Sequence, residues 1–474
     1  MNRIVPLVLA VALFMEHLDS TVIATSLPAI ASDIGTSPVA LKLALTAYLV
    51  SVAIFIPVSA WMADRFGARR VFCAAIGVFV VGSIACALAN SLAGFVGARF
   101  LQGMGGAMMT PVARLLLVRA TARSELVGAM AWLTVPALVG PLLGPPLGGF
   151  ITTYFSWHWI FLINVPIGLA GIVAAMFLLP EFGDAEATPI DFRGFVLSGL
   201  AAAGIVFGLS VVSLPALPPV VGVVTLAIGV ICTMLYVRHA RRAERPILDL
   251  GLFSQPTFRA AIAGGSVFRI GAGATPFLLP LMFQLGFGMT PFQSGMLTFA
   301  GAFGAIGMKF FAQGTLRRGG FRTVLVLAAV GGGFLIGLCG LFSSGTPAWA
   351  IIAVLVAGGF LRSLFFTSVN ALVFADLSDA EASQATAIAA VTQQVSIALG
   401  VAFAGAILEV VTFFNDGMLD SGAFSIALYM VASAAALAAL PFLALHPAAG
   451  STVSGHRMAG ANARTQVVPP RQGS

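Results

Sequence analysis

From Ile4 to Leu445 the chain alternates apolar runs of membrane-crossing length with short polar connections. The runs lie at about 4–30, 41–61, 71–89, 92–113, 126–150, 158–179, 194–213, 220–237, 260–285, 293–312, 323–342, 349–373, 386–411 and 423–445. With a helical rise of about 1.5 Å per residue, about 20 apolar residues cross a hydrocarbon core of about 30 Å. The pattern therefore predicts an all-α polytopic membrane protein with fourteen spans. The alternating strands of about ten residues that build membrane barrels are absent. An even number of spans puts both termini on one side.

The cations say which side. With a cytoplasmic N-terminus, alternate connections and tails carry Arg3, Arg65, Arg69, Arg70, Arg119, Arg123, Arg193, Arg238, Arg241, Arg242, Arg245, Arg317, Arg318, Arg322, Arg457, Arg464 and Arg471. The opposite face carries only Lys42, so positive-inside bias predicts cytoplasmic termini. The net charge of +7 then reports topology, and no nucleic-acid partner is expected. Only 9% of residues are charged against about 25% in soluble proteins. Ile4 to Ile30 is too long for a cleaved signal and contains Glu16 and Asp19, so it stays as the first span. The four cysteines sit singly in apolar runs, and the five histidines form no ligand or triad spacing. No metal site and no enzyme chemistry are expected.

Two segments break the rhythm: acidic, Pro-containing 181–193, and basic 238–259 with Pro246 and Pro256. Between them lie two spans without Asp, Glu, Lys, Arg or His. The order six spans, two spans, six spans predicts a bundle over 1–180, a linker with two additional helices over 181–258 and a second bundle over 259–446. The Gly-, Ala-, Ser- and Pro-rich tail, 447–474, is expected to be disordered. The connections 60–70 and 311–322 are both short, arginine-rich and glycine-containing at matching places, as in a duplication.

Arg99 is the residue that most demands an explanation. A permanent cation at the centre of an apolar helix costs roughly 2.5–3.5 kcal/mol on insertion scales, so it should face an interior and find a partner. Asp19 and Glu16, on one face of the first span, are the carboxylates available. Burial raises a carboxyl's proton affinity and a nearby guanidinium lowers it, which makes a proton switch; a static ion pair joining two helices is the alternative. Arg99, Gln102, Gly103 and Gly106 form one helical stripe. In the fifth span, Gly140, Gly144 and Gly148 make a ridge of period four, with Pro145 and Gly149 beside it; prolines there are expected to bend the helix. In the second half, Arg269 lies among glycines, and Arg362, Phe366 and Asn370 share a stripe. These read as cavity liners or interhelix pairs. Glu409, near the outer end of its span, is expected to reach headgroups or serve function.

In order along the chain, these stripes resemble signatures of the major facilitator superfamily, and specifically its fourteen-span drug:proton antiporter branch with MdtD-type exporters. The resemblance covers residues 1 to about 445. Leu18 to Ile23 with Leu27-Pro28 resembles the branch's first-span motif. Asp64-Arg65-Phe66-Gly67 with Arg69 resembles the cytoplasmic gating loop, and Arg99-Phe-Leu-Gln102-Gly103 the fourth-span motif. Gly140 to Gly149 fits GxxxGPxxGG at each fixed position. Ser156 to Asn164 and Phe268 to Gly273 add to the likeness. Ala60 and Ala68 depart from the gating loop, where glycine and a basic residue are usual; Arg69 and Arg70 are candidate substitutes.

The resemblance implies a proton-coupled exporter of small amphipathic or cationic compounds in the cytoplasmic (inner) membrane. Asp19, with Glu16, would bind protons or cationic substrate, Arg99 would couple protonation to movement, and Asp64 with its arginines would lock the cytoplasmic side. Gln102, Arg269, Arg362, Phe366 and Asn370 are candidate substrate-cavity residues. The expected partners are a small-molecule substrate, protons and the bilayer; no cofactor beyond the proton gradient is expected, and the unit is expected to be a monomer. An exporter of an anionic metabolite or metal chelate, using Arg269 and Arg362, is the alternative on the same fold. A non-transporting scaffold or sensor is the alternative from another class.

Overall fold

The computed structural model describes residues 4–122, 125–181, 189–212, 214, 218–415 and 418–454. Among the described residues every regular element is helical. The long helices are α1 (Ile4–Val22), α2 (Lys42–Phe66), α3 (Ala68–Ala87), α4 (Leu92–Ala120), α5 (Leu126–Tyr154), α6 (Asn164–Leu178) and α7 (Phe192–Val212). They continue as α8 (Pro219–Ala240), α9 (Pro256–Leu281), α10 (Pro291–Cys339), α11 (Ala348–Val373), α12 (Asp379–Phe414) and α13 (Ser421–Leu437).

Among the described residues, twelve helices are long and apolar enough to cross a membrane, two fewer than the hydropathy pattern predicts. The difference has two sources. Glycines and Arg99 dilute the apolarity of α4, which is absent from the twelve. The runs 293–312 and 323–342 fall in one 49-residue helix, α10. That helix is broken at Gly320, whose φ of 66° and ψ of 168° suit only a residue without a β-carbon. Gly67, with φ of 88°, makes the corresponding turn between α2 and α3, so the two similar arginine-rich connections turn on the same device.

Local chemistry sets the other boundaries. The first run stops being α-helical at Val22, passes through a 3₁₀ turn at Ile23–Thr25 and resumes as Leu27–Asp33, with Pro28 in its first turn. The sixth run divides into Trp159–Leu162 and α6. Pro136, Pro141, Pro145 and Pro146 lie inside α5, which stays a continuous helix. In the expected disordered tail, residues 447–454 are described and Ser451–Ser454 form a helical turn; residues 455–474 lie outside the described residues, as do Arg3 and Arg123.

The packing repeats itself. α1 lies on α5 and α6, α4 on α2 and α3, and α3 on α6. When α10 is counted as two helices, the last six follow the same scheme: α9 lies on α12 and α13, α10 on α11 and on α13. Between these groups α2 meets α12 and α5 meets α10, so each second helix pairs with the other group's fifth. A buried apolar cluster crosses this seam, with Val22, Ile23 and Leu27 on one side and Phe277, Leu278 and Leu281 on the other. Gln284 Nε2 donates to Thr25 O at 3.0 Å, and Phe292 N to Thr153 Oγ1 at 3.0 Å.

α7 and α8 pack on each other through glycines; a β-carbon at Gly204 would lie 2.6 Å from Gly229 Cα. α7 lies against α2 and α12, with Val206 between Val50 and Ala398. The hairpin is clasped at its base by Asp191. Its carboxylate accepts from Gly194 N at 2.9 Å, meets His239 Nε2 at 2.7 Å and accepts from Ile247 N at 3.2 Å. Burial pushes this carboxyl's pKa up, but the hydrogen bonds from Gly194, His239 and Ile247 outweigh it and hold it below the ordinary carboxylate value.

A carboxyl depressed by folding contributes stability above its unfolded pKa and loses it as pH falls through the lower folded value. Melting temperature measured from pH 6 to pH 3 is therefore expected to fall more steeply for wild type than for Asp191→Asn. Parallel curves would show that the clasp does not titrate with folding.

Candidate functional site

Close approach of three helices builds the site. A β-carbon at Gly82 on α3 would lie 2.6 Å from Gln102 Cα on α4, and one at Gly103 would lie 2.6 Å from Tyr48 O on α2. Only glycine lets these backbones meet, and their polar side chains converge where they do. Asp19 on α1 completes the group from a helix that carries no other acid besides Glu16.

Arg99 Nη1 donates to Asp19 Oδ2 at 2.7 Å and to Gln102 Oε1. Gln102 Nε2 donates to Asp19 Oδ1 at 2.8 Å and to Ser83 Oγ at 2.8 Å. Asn164 Nδ2, at the start of α6, donates to the same Asp19 Oδ1 at 2.8 Å and to Ser83 Oγ at 3.2 Å. The Tyr48 ring lies under the guanidinium, 4.3 Å from Cζ to the ring centroid. Asp19 and Arg99 are each only 1% exposed, so the pair is sealed from bulk water. Removing one member of such a pair strands a buried charge, at about 3–5 kcal/mol. Arg99 Nε and Asn164 Oδ1 are buried without a hydrogen-bond partner, so the network is not saturated.

One turn earlier on α1, Glu16 sits at the margin of this group, 8% exposed, and accepts from Thr110 Oγ1 at 2.8 Å. It does not join the Asp19 cluster directly. Gly106 keeps the space between them narrow: a β-carbon there would lie 3.0 Å from Tyr48 Oη and 3.7 Å from Glu16 Cγ.

The remaining candidates divide. Gln102, expected in a substrate cavity, is fully buried inside the Asp19 network, because its amide is the link between Arg99, Asp19 and Ser83. Asp64 and the loop arginines part company. Asp64 Oδ1 pairs with Arg119 Nη2 on α4 at 2.6 Å, while Arg69 and Arg70 meet Glu181 at 2.7 and 3.2 Å. Arg69 also donates to Leu179 O at the end of α6. Arg65 is exposed, and the positive φ of Gly67 turns the loop. Arg69 and Arg70 thus tie down α6 and do not stand in for the missing basic residue beside Asp64.

The ridge Gly140, Gly144, Gly148 is the bed of α1. β-Carbons there would lie 2.9 Å from Leu18 N, 2.0 Å from Thr21 Oγ1 and 2.3 Å from Val22 O. Gly149 and Pro145 face the other way, onto α10: a β-carbon at 149 would lie 2.4 Å from Pro291 O, and one at Gly295 2.3 Å from Pro145 O. The motif thus presses α1, which carries Asp19, against one face and the second helix group against the other.

In that second group, Arg269 Nη2 donates to Asn370 Oδ1 at 3.4 Å and to Gln393 Oε1 at 3.3 Å, with Cζ 5.0 Å from the Phe366 ring centroid. Arg362, one helical turn from Phe366, is partly buried. The glycines beside Arg269 serve packing; Gly264 meets Phe442 and Gly271 meets Val431. Glu409 departs from its expected reach to headgroups: its Oε2 lies 2.5 Å from Lys42 Nζ. Ser83, Tyr48 and Thr110 carried no signal in the chain, because single hydroxyls in apolar helices are ordinary. Asn164 was visible only as the end of a motif.

The Major Facilitator Superfamily profile matches residues 9–401. The chain belongs to this superfamily. It is therefore a membrane transporter and not an enzyme. A protein of Pectobacterium atrosepticum named for multidrug resistance, MdtD, is 36% identical over 436 residues, covering 92% of this chain and 93% of its own. A peptide transporter POT solved with sulfate matches with a TM-score of 0.70 at 16% identity, over 94% of this chain and 95% of its own. A D-xylose–proton symporter matches at 0.68 and 14% identity, over 94% and 98%. These last two likenesses concern the fold alone.

The energetics of the pair are open to a double-mutant cycle. Arg99→Met is expected to lower stability in detergent by about 3 kcal/mol or more, because Asp19 is left charged and sealed. Asp19→Asn together with Arg99→Met should recover part of that loss. Additive losses in the double variant would show that the two side chains are not coupled.

Proposed function

We propose that this protein is a proton-coupled antiporter that exports small amphipathic or cationic compounds by alternating access. Fourteen spans are counted when α4 joins the twelve apolar helices and α10 is counted on each side of Gly320; both termini are then cytoplasmic. Residues 1–180 and 259–446 form the two rocking bundles, and 181–258 form a linker with two extra spans. The repeated packing scheme supports this division. The protein works as a monomer in the cytoplasmic membrane, with no cofactor beyond the proton gradient. The seam through Thr25, Thr153, Gln284 and Phe292 then lies at the outer face, so the described arrangement is closed to the outside.

The observation that carries the reading is a titratable acid and a permanent cation buried together in the first bundle. A static strut would need one acid as counter-charge to Arg99, whereas a second acid, Glu16, lies buried one turn away. Protonation of Asp19 releases Arg99 from its counter-charge, and the network around it must rearrange. Glu16, at the margin, hands protons to or from that site. The named multidrug relatives support a drug-like cargo.

One proton falling through about 100 mV and one pH unit releases about 3.7 kcal/mol, about 2.3 of it from the potential. That sustains a gradient of about 500-fold for a neutral solute. For a monovalent cation exchanged one for one, charge cancels and only about tenfold remains. A strong cation pump needs a second proton, and Glu16 supplies a second site.

One observation favours a second reading. Arg269 is held by amides and a ring, with no carboxylate among its named partners, and Arg362 lies on the Phe366 face of α11. Two cations so placed suit an anionic metabolite or metal chelate as cargo.

Asp19→Asn is expected to abolish dye efflux driven by an imposed pH gradient in proteoliposomes while leaving the protein folded and monodisperse, at a stability lowered by about 3–5 kcal/mol because Arg99 loses its counter-charge. Undiminished gradient-driven efflux would reject the antiport scheme. An organic acid transported in place of cationic dyes would favour the second reading.

A further inference from the structure

Lys42 breaks the charge rule that the other connecting cations obey, and its ion pair crosses between the two helix groups. Its Nζ lies 2.5 Å from Glu409 Oε2, joining the first residue of α2 to the last third of α12. The side chains are 0% and 9% exposed, so the pair lies within the seam and off the surface. Gly405 makes room for the lysine stem: a β-carbon there would lie 2.3 Å from Lys42 Cδ. Leu43 and Ala40, flanking Lys42, pack with Leu214 from the end of the extra hairpin, which closes the site on a third side.

A lysine at this place is unfavourable on its own account. The first residue of a helix faces unsatisfied N–H groups, which repel a cation. Burial adds a desolvation cost that only a close opposite charge offsets. The desolvation cost is lifted when the groups separate into water, and the repulsion from the helix terminus is screened there. The ion pair is thus favourable in the closed arrangement alone, and removal of either partner penalises that arrangement alone.

Accepting the alternating-access reading above, we propose that Lys42 and Glu409 form the outer latch of the transporter. The pair closes whenever the outer face closes and breaks whenever it opens, so its strength sets the ratio of the two access states. The Lys42–Glu409 pair joins α2 to α12, whereas the Asp19–Arg99 pair joins α1 to α4, so the latch and the proton site stand on different helix pairs.

Spin labels at Ser37→Cys and Ser344→Cys, exposed positions on outer connections of the two groups, report the opening as a distance distribution. Native Cys86, Cys232 and Cys339 are buried and Cys73 is partly buried, so the parent protein serves as the labelling control. Wild type is expected to show a short and a long population whose ratio moves with pH and added cationic dye. Lys42→Met, which keeps the stem beside Gly405, and Glu409→Gln should each raise the long-to-short ratio by about tenfold or more. The exchange Lys42→Glu with Glu409→Lys should bring it back towards wild type. Single variants with the wild-type ratio overturn the latch, as does a swap that shifts the ratio as far as the single changes do. A wild-type protein with one fixed distance under every condition overturns alternating access itself, and the latch with it.

Discussion

A carboxylate and a guanidinium held together out of water can be tolerated only as a pair. The contact between Asp19 and Arg99 is the constraint around which the first helix group is organised. Arg99 keeps its charge under all conditions, so every change of state at this site has to come from the acid. Gln102, Asn164 and Ser83 supply the hydrogen bonds that allow a charged Asp19 to remain 1% exposed. Glycines at 82 and 103 let α3 and α2 approach α4 closely enough for those side chains to meet. The glycine ridge of α5 then fixes α1, and with it Asp19, at the right depth.

The same ridge connects the site to the rest of the molecule. Its Gly140, Gly144 and Gly148 face α1, while Gly149 and Pro145 face α10 across the seam. The helix on which α1 is bedded thus also touches the other group. The second seam contact, between α2 and α12, is the one that carries Lys42 and Glu409. The proposed proton site and outer latch therefore stand on different helices, and α4, which carries Arg99, packs on α2, which carries Lys42.

Much of this was legible in the chain. The apolar period located nearly every helix, because membrane crossing imposes both length and composition. Arg99 announced its own importance through its cost, and Asp19 was one of two acids able to answer it. The direction in which Gln102 faces was not legible, since a stripe on a helix does not say whether it meets a cavity or another helix. Gly320 was hidden as well: a single left-handed glycine in an arginine-rich connection reads as a loop, whereas the helix continues on both sides of it. The gating-loop arginines misled for a different reason. Charges in a connection choose partners by three-dimensional reach: Arg69 pairs with Glu181, 112 residues away in the chain, while Asp64 pairs with Arg119. Lys42 and Glu409 are 367 residues apart, and pairing at such a separation has no signature in a single sequence.

The central claim is that Asp19 gains and loses a proton during the cycle while Arg99 stays charged. Infrared difference spectroscopy on the purified protein in lipid reads this directly, through the carbonyl stretch of a protonated carboxyl group. With Glu16→Gln as the background, acidification is expected to raise such a band and added cationic substrate to lower it again, and Asp19→Asn in that background is expected to lack the change. A substrate-sensitive band that persists unchanged in that double variant would contradict the account.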